Sequence, residues 1–575
     1  MRNLSIRRTV ALPFLASIRL LLGCGPSTDT SSSTGGSTTT TTTTSSMSTG
    51  GSGGTTTTSD TTTTTPPSAY CEAETLPVRP WSEGPYGAHR NETAADFTLD
   101  LTDGAAWNFK DSYSGCESYV FVPDSLKISD QNSASVWTKD LATLLKTSPK
   151  NVHYFFVSRS STDDGAKTST DAMTAYVQAT LGALAAADAE HWKTRLHVVS
   201  KRAKVLGNWV GDILGGIGRM GFAIDRFQRV RGLGYLADVK RYKQSLDAAG
   251  LWPFESNLVY AEHEPRYFNF EIERQAKLDA ENATIVPFWN GEVLSEFAET
   301  DVTLPSESDM AKFDTLEVEV ESACPDPEAI EFNNCGAWDY IAALAVRDEA
   351  TMANVEIARF ITSYHRETHW VVDISPMLVH LKKGGLRHFR WDFAPSWNVQ
   401  PTATKLSLRL SNKGKGYAPY DAKFLWAGGD FNSMYNAPHA PTDVPIPADA
   451  KRVELVAIVT GHGSGSNQCS EFCNHQHSFK VNGVEHRKEH KEAGTSNKCI
   501  DHIDNGMVPN QAGTWWYGRG GWCPGQQVDP WVVDVTADVT PGMPATIEYQ
   551  GLYANGQPPD NSGNIDLVSY LVFYK

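Results

Sequence analysis

No stretch of this sequence stays apolar for the ~18 residues that a bilayer-spanning helix needs. The nearest, Val10 to Gly23, is interrupted by Arg19. Basic residues are also in deficit. The 50 Lys and Arg stand against 67 Asp and Glu, a formal charge of −17, which argues against a nucleic-acid partner and against a polybasic membrane-binding face. Paired Cys-x2-Cys knuckles are missing, so disulfides are favoured over a structural zinc fold. Apolar residues are not scarce. At 40% of 575 residues, with 10% aromatic, they can fill real cores, and a wholly disordered or collagen-like chain is excluded. At about 150 residues per domain, the length points to about three or four domains.

The N-terminus reads as an export signal: Arg2, Arg7 and Arg8 precede a short apolar stretch that ends on small residues. The run Leu21-Leu22-Gly23-Cys24 resembles a bacterial lipoprotein processing box, which implies a lipidated Cys24 and attachment to an outer or surface membrane. A plainly secreted protein is the alternative. Of nine cysteines, setting Cys24 aside leaves an even set, and an even set in an exported chain implies disulfides. Spacing alone does not determine their pairing. The local choices are Cys71 with Cys116, Cys324 with Cys335, Cys469 with Cys473, and Cys499 with Cys523. Residues 25–68 are almost entirely Thr, Ser and Gly, and they bury too little apolar area to offset ordering, which predicts a flexible tether.

From 69 to 282 short strands alternate with helices. Strands are expected at 97–101, 118–122, 152–157 and 221–225, with helices over 134–145 and 171–184. This order predicts an α/β layer structure. The segments FTLDLTDGAAWNFKDSYSG (97–115) and GFAIDRFQRVRGLG (221–234) resemble the start and closing hairpin of thioredoxin-like domains of the peroxiredoxin type. The chemistry of that family is not matched. Cys-x-x-Cys is missing, Cys116 precedes its strand rather than opening a helix, and no proline precedes the strand at 221. A structural or docking role is therefore expected for this region.

After 283 the texture turns to β, with strict alternation over Thr315–Glu321, Lys405–Leu410 and Leu567–Tyr574, and turn residues at short spacing. Four blocks in this half, CPDPEAIEFNNCGAWDY (324–340), EIARFITSY (356–364), CSEFCNHQHSFKVNG (469–483) and YGRGGWCPG (517–525), resemble the peptide-N-glycosidase F family. The resemblance implies two antiparallel jelly rolls, assigned to 283–430 and 431–575, with a site in the cleft between them. It implies an exported amidase that frees N-linked glycans from asparagine in glycoproteins or glycopeptides, without a cofactor, as a monomer. Residue by residue, it implies Asp339 and Glu471 as catalytic carboxylates, with Asp392 in 386–397 as the third acid. Trp338, Arg519, Trp522 and His462 fall at its substrate-binding positions. Disulfides Cys324–Cys335, Cys469–Cys473 and Cys499–Cys523 would fix the loops. Tyr340 stands where the family prototype carries arginine.

Hydrolysis of a glycosylasparagine amide needs an activated water and a proton for the departing nitrogen, and two neighbouring carboxylates can divide those tasks. Two other classes compete with this reading. One is a carbohydrate-binding surface lipoprotein that has lost turnover. The other is a copper monooxygenase of the same two-jelly-roll shape, with His475 and His477 sharing a strand face. His486, His490 and His502 are expected on solvated loops. Residues 283–575 are expected to carry activity without the first domain.

Overall fold

The computed structural model describes residues 69–124, 136–216, 221–232, 256–463, 468–554 and 556–575. The export signal, Cys24 and the Thr-rich segment 25–68 lie outside these residues. Among the described residues no helix is long and apolar enough to cross a membrane.

The first region is built on a five-stranded mixed sheet. Its strand order is Leu196–Val198, Val152–Val157, Ser118–Pro123, Phe222–Ile224 and Val230–Arg231. The first three run parallel and the last two antiparallel. The central strands are continuous apolar runs because both of their faces are covered. On one face Tyr119, Phe121, Phe155 and Phe222 meet Trp107 and Phe109, which the chain supplies from a short hairpin (Thr98–Asp100 with Ala106–Asn108) and the turn after it. Helix Asp163–Ala183 starts eight residues before the expected 171. The Thr162 side chain accepts from the Gly165 amide, and Asp163 and Asp164 sit in the positive first turn. Cys71 and Cys116 are bonded to one another.

The opposite face of this sheet is covered in part by the region's own helices, through Leu141, Leu144, Met173, Val177 and Trp192, and is completed from outside the region. Val120, Val122, Tyr154 and Phe156 pack with Tyr267 and Phe268 of helix Ser256–Ala280. The same core takes in Ile500, Ile503, Met507, Trp515 and Trp516 from the distant loop 499–523. A buried ion network continues the contact. Arg366 bonds Glu264 of the helix at 2.9 Å and Glu331 at 2.8 Å, and Gln511 donates to Glu331 at 2.9 Å. This shared core packs the first region directly against residues of the C-terminal half.

Two β-sandwiches follow. The first pairs the sheet Thr368–Asp373, Thr315–Ala323, Thr402–Ser411, Thr284–Leu294 with the sheet Gln527–Val528, Asn354–Ile361, Ile341–Arg347, Gly384–Asp392, Phe297–Ser306. Alternation sorts its residues. Leu316, Val318 and Val320 enter the core, while Glu317, Glu319 and Glu321 face Lys413, His369 and Lys405 at 2.7 to 2.9 Å.

The second sandwich pairs Pro419–Asp430, Asn564–Tyr574, Arg452–His462, Trp531–Asp534 with Thr442–Pro445, Pro544–Tyr553, His475–Val481, Val484–Glu489. Pro419–Asp430 hydrogen-bonds along Asn564–Tyr574, so the join lies between Ser411 and Pro419 rather than at 430. The sandwiches are also stitched together. Gln527–Val528 adds an edge strand to the first sandwich, and Val456, Tyr570, Val572 and Tyr574 of the second enter the first one's core.

Candidate active site

Three loops meet where the sandwiches join. Asp339 ends the loop that follows the Cys324–Cys335 bridge and leads into strand Ile341–Arg347. Glu471 sits on a single helical turn, Cys469–Phe472, closed by the Cys469–Cys473 bridge. The Ser470 hydroxyl donates to the His462 carbonyl at 2.8 Å and its amide to the Ser562 carbonyl at 2.9 Å, which fixes the turn from behind. Arg519 lies inside the loop bounded by Cys499–Cys523.

Arg519 is buried at 3% exposure and brings the two acids together. Its Nε donates to Glu471 Oε1 at 3.1 Å, and its Nη2 reaches Asp339 Oδ2 at 3.5 Å. The remaining donors are spent on the Thr514 and Tyr517 carbonyls at 3.0 and 2.8 Å and on the Thr514 hydroxyl at 3.1 Å. The guanidinium stacks over Trp522, 4.9 Å from the ring centre. Glu471 Oε2 accepts from the Gly463 amide at 2.9 Å, and the Tyr364 hydroxyl stands near Asp339 and favours its charged form. The packing is tight. A Cβ on Gly513, whose φ is +72°, would stand 2.5 Å from the Tyr364 ring, and one on Gly463 would stand 2.8 Å from the Glu471 carboxyl.

Burial pushes both carboxyls above their ordinary values. For Asp339, Arg519 and Tyr364 pull the other way. For Glu471, Arg519 opposes the shift while the charge of Asp339 adds to it. Two acids with one buried cation between them cannot both ionise without cost.

Residues 430–572, which contain Glu471 and Arg519, match the family described as "Peptide-N-glycosidase F, C terminal". The C-terminal half of the chain is of the peptide-N-glycosidase F family. A curated relative, the peptide-N(4)-(N-acetyl-beta-D-glucosaminyl)asparagine amidase F of Elizabethkingia miricola, is 23% identical over 290 residues, covering 45% of this chain and 73% of the relative. Among solved structures, the glycosylasparaginase PNGase F of Flavobacterium meningosepticum is similar at 17% identity and a TM-score of 0.40, over 51% of this chain and 96% of that one. PNGF-II in its C2 crystal form is similar at 14% identity and a TM-score of 0.37, over 52% and 67% of the two chains.

The remaining residues picked out by the peptide-N-glycosidase F resemblance divide into three groups. Trp338 stands 52% exposed at the rim, its amide donating to Gln400 Oε1 at 2.9 Å. Trp522 and His462 are not open to a ligand in this way. Trp522 is buried beneath Arg519, donates to the Gly461 carbonyl at 2.7 Å, and stacks on His462 with ring centres 5.0 Å apart. Burial pushes the His462 imidazole down to about 3, so it supports this platform as a neutral ring. Asp392 does not join the cluster. Both its oxygens are taken by Arg390 at 2.6 and 2.7 Å, because Phe389 and Trp391 turn into the core and alternation sends Arg390 and Asp392 to the other face.

Other expectations also change. His490 is buried against His475 and His477 rather than solvated, while His486 and His502 pair with Asp538 and Glu492 at 2.8 and 2.7 Å. Tyr364, Thr514 and Trp397 were not singled out from sequence. Tyr364 closes the matched block 356–364, and Thr514 lies three residues before the matched block 517–525. Trp397, 77% exposed, meets Tyr340 edge to face at 5.8 Å and forms a second aromatic rim beside Trp338. Tyr340, which replaces the prototype's arginine, accepts from Asn398 Nδ2 at 2.7 Å.

Proposed function

We propose that this protein is an exported amidase that hydrolyses the bond between GlcNAc and an asparagine side chain in N-glycoproteins or glycopeptides. The observation that carries the reading is the convergence of Asp339 and Glu471, from different sandwiches, on Arg519. Asp339 takes a proton from water as its oxygen adds to the side-chain carbonyl. Glu471, which burial and the Asp339 charge push toward its protonated form, supplies a proton to the departing nitrogen. The carbon–nitrogen bond then breaks, leaving aspartate on the peptide and the glycan as its glycosylamine. Arg519 balances the charge of the pair, and the exposed Trp338 and Trp397 offer apolar faces to sugar rings.

Residues 69–282 serve as a thioredoxin-like structural module. The strand order of the mixed sheet and its capping hairpin support that reading, and Cys116, bonded to Cys71, supplies no thiolate. Cys24 is the anchor to a bacterial outer or surface membrane, on the strength of the LLGC sequence. A carbohydrate-binding protein without turnover is the second reading, favoured by the way Arg519 occupies both carboxylates.

Incubation with a denatured N-glycoprotein decides between the two. Free glycan with an Asn→Asp mass increase of about one unit supports the amidase. Glycan binding without release sinks it.

A further inference from the structure

Behind the Glu471 turn lies a cluster that the amidase chemistry leaves unused. His475 and His477 share the inward face of strand His475–Val481 because side chains alternate along it. His490 follows the neighbouring strand, and its amide donates to the His475 carbonyl at 3.1 Å, which sets the third imidazole alongside. All three are buried, at 0%, 0% and 5% exposure. Their ring centres lie 5.0, 4.5 and 5.4 Å apart. Three imidazoles on one ion at tetrahedral angles, with metal–nitrogen distances of about 2.0–2.1 Å, have ring centres about 5 Å apart. One ring nitrogen from each lies within 4.8 Å of the others.

The surrounding hydrogen bonds suit a ligand set. His477 Nδ1 is bonded to the Tyr549 hydroxyl at 2.8 Å, and Tyr549 to Tyr435 at 2.8 Å. This is the outer support that orients metal-bound histidines. It leaves His477 Nε2 hydrogen-bonded to His475 Nδ1 at 2.9 Å, a contact that an ion held by both nitrogens would replace. His490 Nε2 is buried without a hydrogen-bond partner, which is rare for such an atom in a dry interior, while His475 Nε2 lies against the Ser470 carbonyl and leaves Nδ1 as the nitrogen facing the other rings.

We propose that His475, His477 and His490 bind one divalent cation of the imidazole-preferring class, Zn2+ foremost, as a structural ion behind the amidase site. An all-imidazole set suits Zn2+, Cu2+ or Ni2+ and not Mg2+ or Ca2+. On its outer side His490 lines an open cavity of about 410 Å3 together with Lys488, Arg519, Trp522 and Asp529. The location gives the ion a purpose. A Cβ on Gly461 or Gly520 would stand 2.5 or 2.4 Å from His475 Nε2, so the loops carrying His462 and Arg519 close directly on this ring, one residue from each. Ser470, which precedes Glu471, touches the same point through its carbonyl. The cation therefore pins the loops that aim Glu471 and Arg519. These histidines are positioning residues.

The test uses the full chain, stripped with a chelator and titrated with Zn2+ alone against a chromophoric competitor. About one ion per chain is expected, and Co2+ in its place is expected to give the intense visible bands of a tetrahedral site. His490→Gln is expected to abolish uptake, and Tyr549→Phe to weaken it by about 10–100-fold. Wild-type protein that takes up no Zn2+, or takes it up as well as a folded His490→Gln variant, overturns the proposal. Should His490→Gln misfold, X-ray absorption on the wild-type Zn2+ form decides. Scattering from three imidazoles supports the site, and a shell of oxygen or sulfur overturns it.

Discussion

The two faces of the N-terminal sheet are equally apolar, yet they are finished differently. One is closed by its own hairpin and the turn after it through Trp107 and Phe109. The other is covered by the region's own helices, Ser256–Ala280 among them, but is completed by Trp515 and Trp516 from a loop more than two hundred residues away, the loop that presents Arg519. The first face needs nothing beyond its own region. The second makes the α/β region part of the scaffold for the site. By contrast, Glu471 is held by a short disulfide-closed turn within its sandwich and Asp339 follows the Cys324–Cys335 bridge, while the Arg519 loop packs directly into the shared core.

Removing residues 69–282 is the harshest test of that contrast. The truncated chain exposes Trp515, Trp516, Ile500 and Met507, and it strands Arg366 without Glu264. We expect it to aggregate or to fold without turnover on a small glycopeptide. Full activity from a soluble 283–575 chain would erase the distinction between the faces.

Asp339→Asn probes the sandwich-borne side. It keeps the shape of the residue and removes the base, so turnover is expected to fall by ~10² or more with little change in glycan affinity. Glu471→Gln is expected to lower turnover less, and the double variant to fall short of the product of the two. Steady-state kinetics on one glycopeptide suffice. An unchanged rate for folded Asp339→Asn refutes the role.

Trp515→Ala acts from the other side. Loss of a fully buried tryptophan costs ~3–5 kcal/mol and should loosen the Arg519 loop. Denaturation midpoints should drop, and activity should fall although the residue is remote from the carboxylates. Opening the Cys469–Cys473 bridge by a double serine substitution is expected to do the reverse. The closed loop is short and gives little stability, so the midpoint hardly moves while turnover falls.

The smallest effect concerns pH. Burial holds the Asp339 carboxyl above its ordinary value, so the folded state binds this proton more tightly than the unfolded chain does. The contribution to stability is full below the ordinary carboxylate range, about pH 4, and is lost as pH rises through the raised value. Asp339→Asn lacks this titration, so its melting temperature relative to wild type should climb as pH increases. A constant difference across pH 4 to 8 would place Asp339 in a solvated setting.

Much of the fold was legible locally. The run Val152–Val157, the alternation of Thr315–Glu321 and the turn residues between strands declare themselves within a few positions, because periodicity is a property of neighbours. Asp339 and Glu471 could be singled out for a related reason, since Glu471 sits between two cysteines and Asp339 just after a cysteine pair, each within a short local block. Asp392 misled because a strand read one residue out of phase presents the opposite face, and only the pairing of Phe389 and Trp391 with the core determines the phase.

The sequence by itself determined the β texture of the C-terminal half and the α/β order before it, and it singled out Asp339 and Glu471 as candidates. Tertiary structure alone decided that Arg519 lies between those carboxylates, that Trp522 is a buried platform, that His490 turns inward to meet His475 and His477, and that Pro419–Asp430 belongs to the second sandwich. The physical reason is common to all four. Each depends on a contact between segments distant in the chain, set by which hydrophobic surfaces cover one another, and no local pattern of residues encodes that choice.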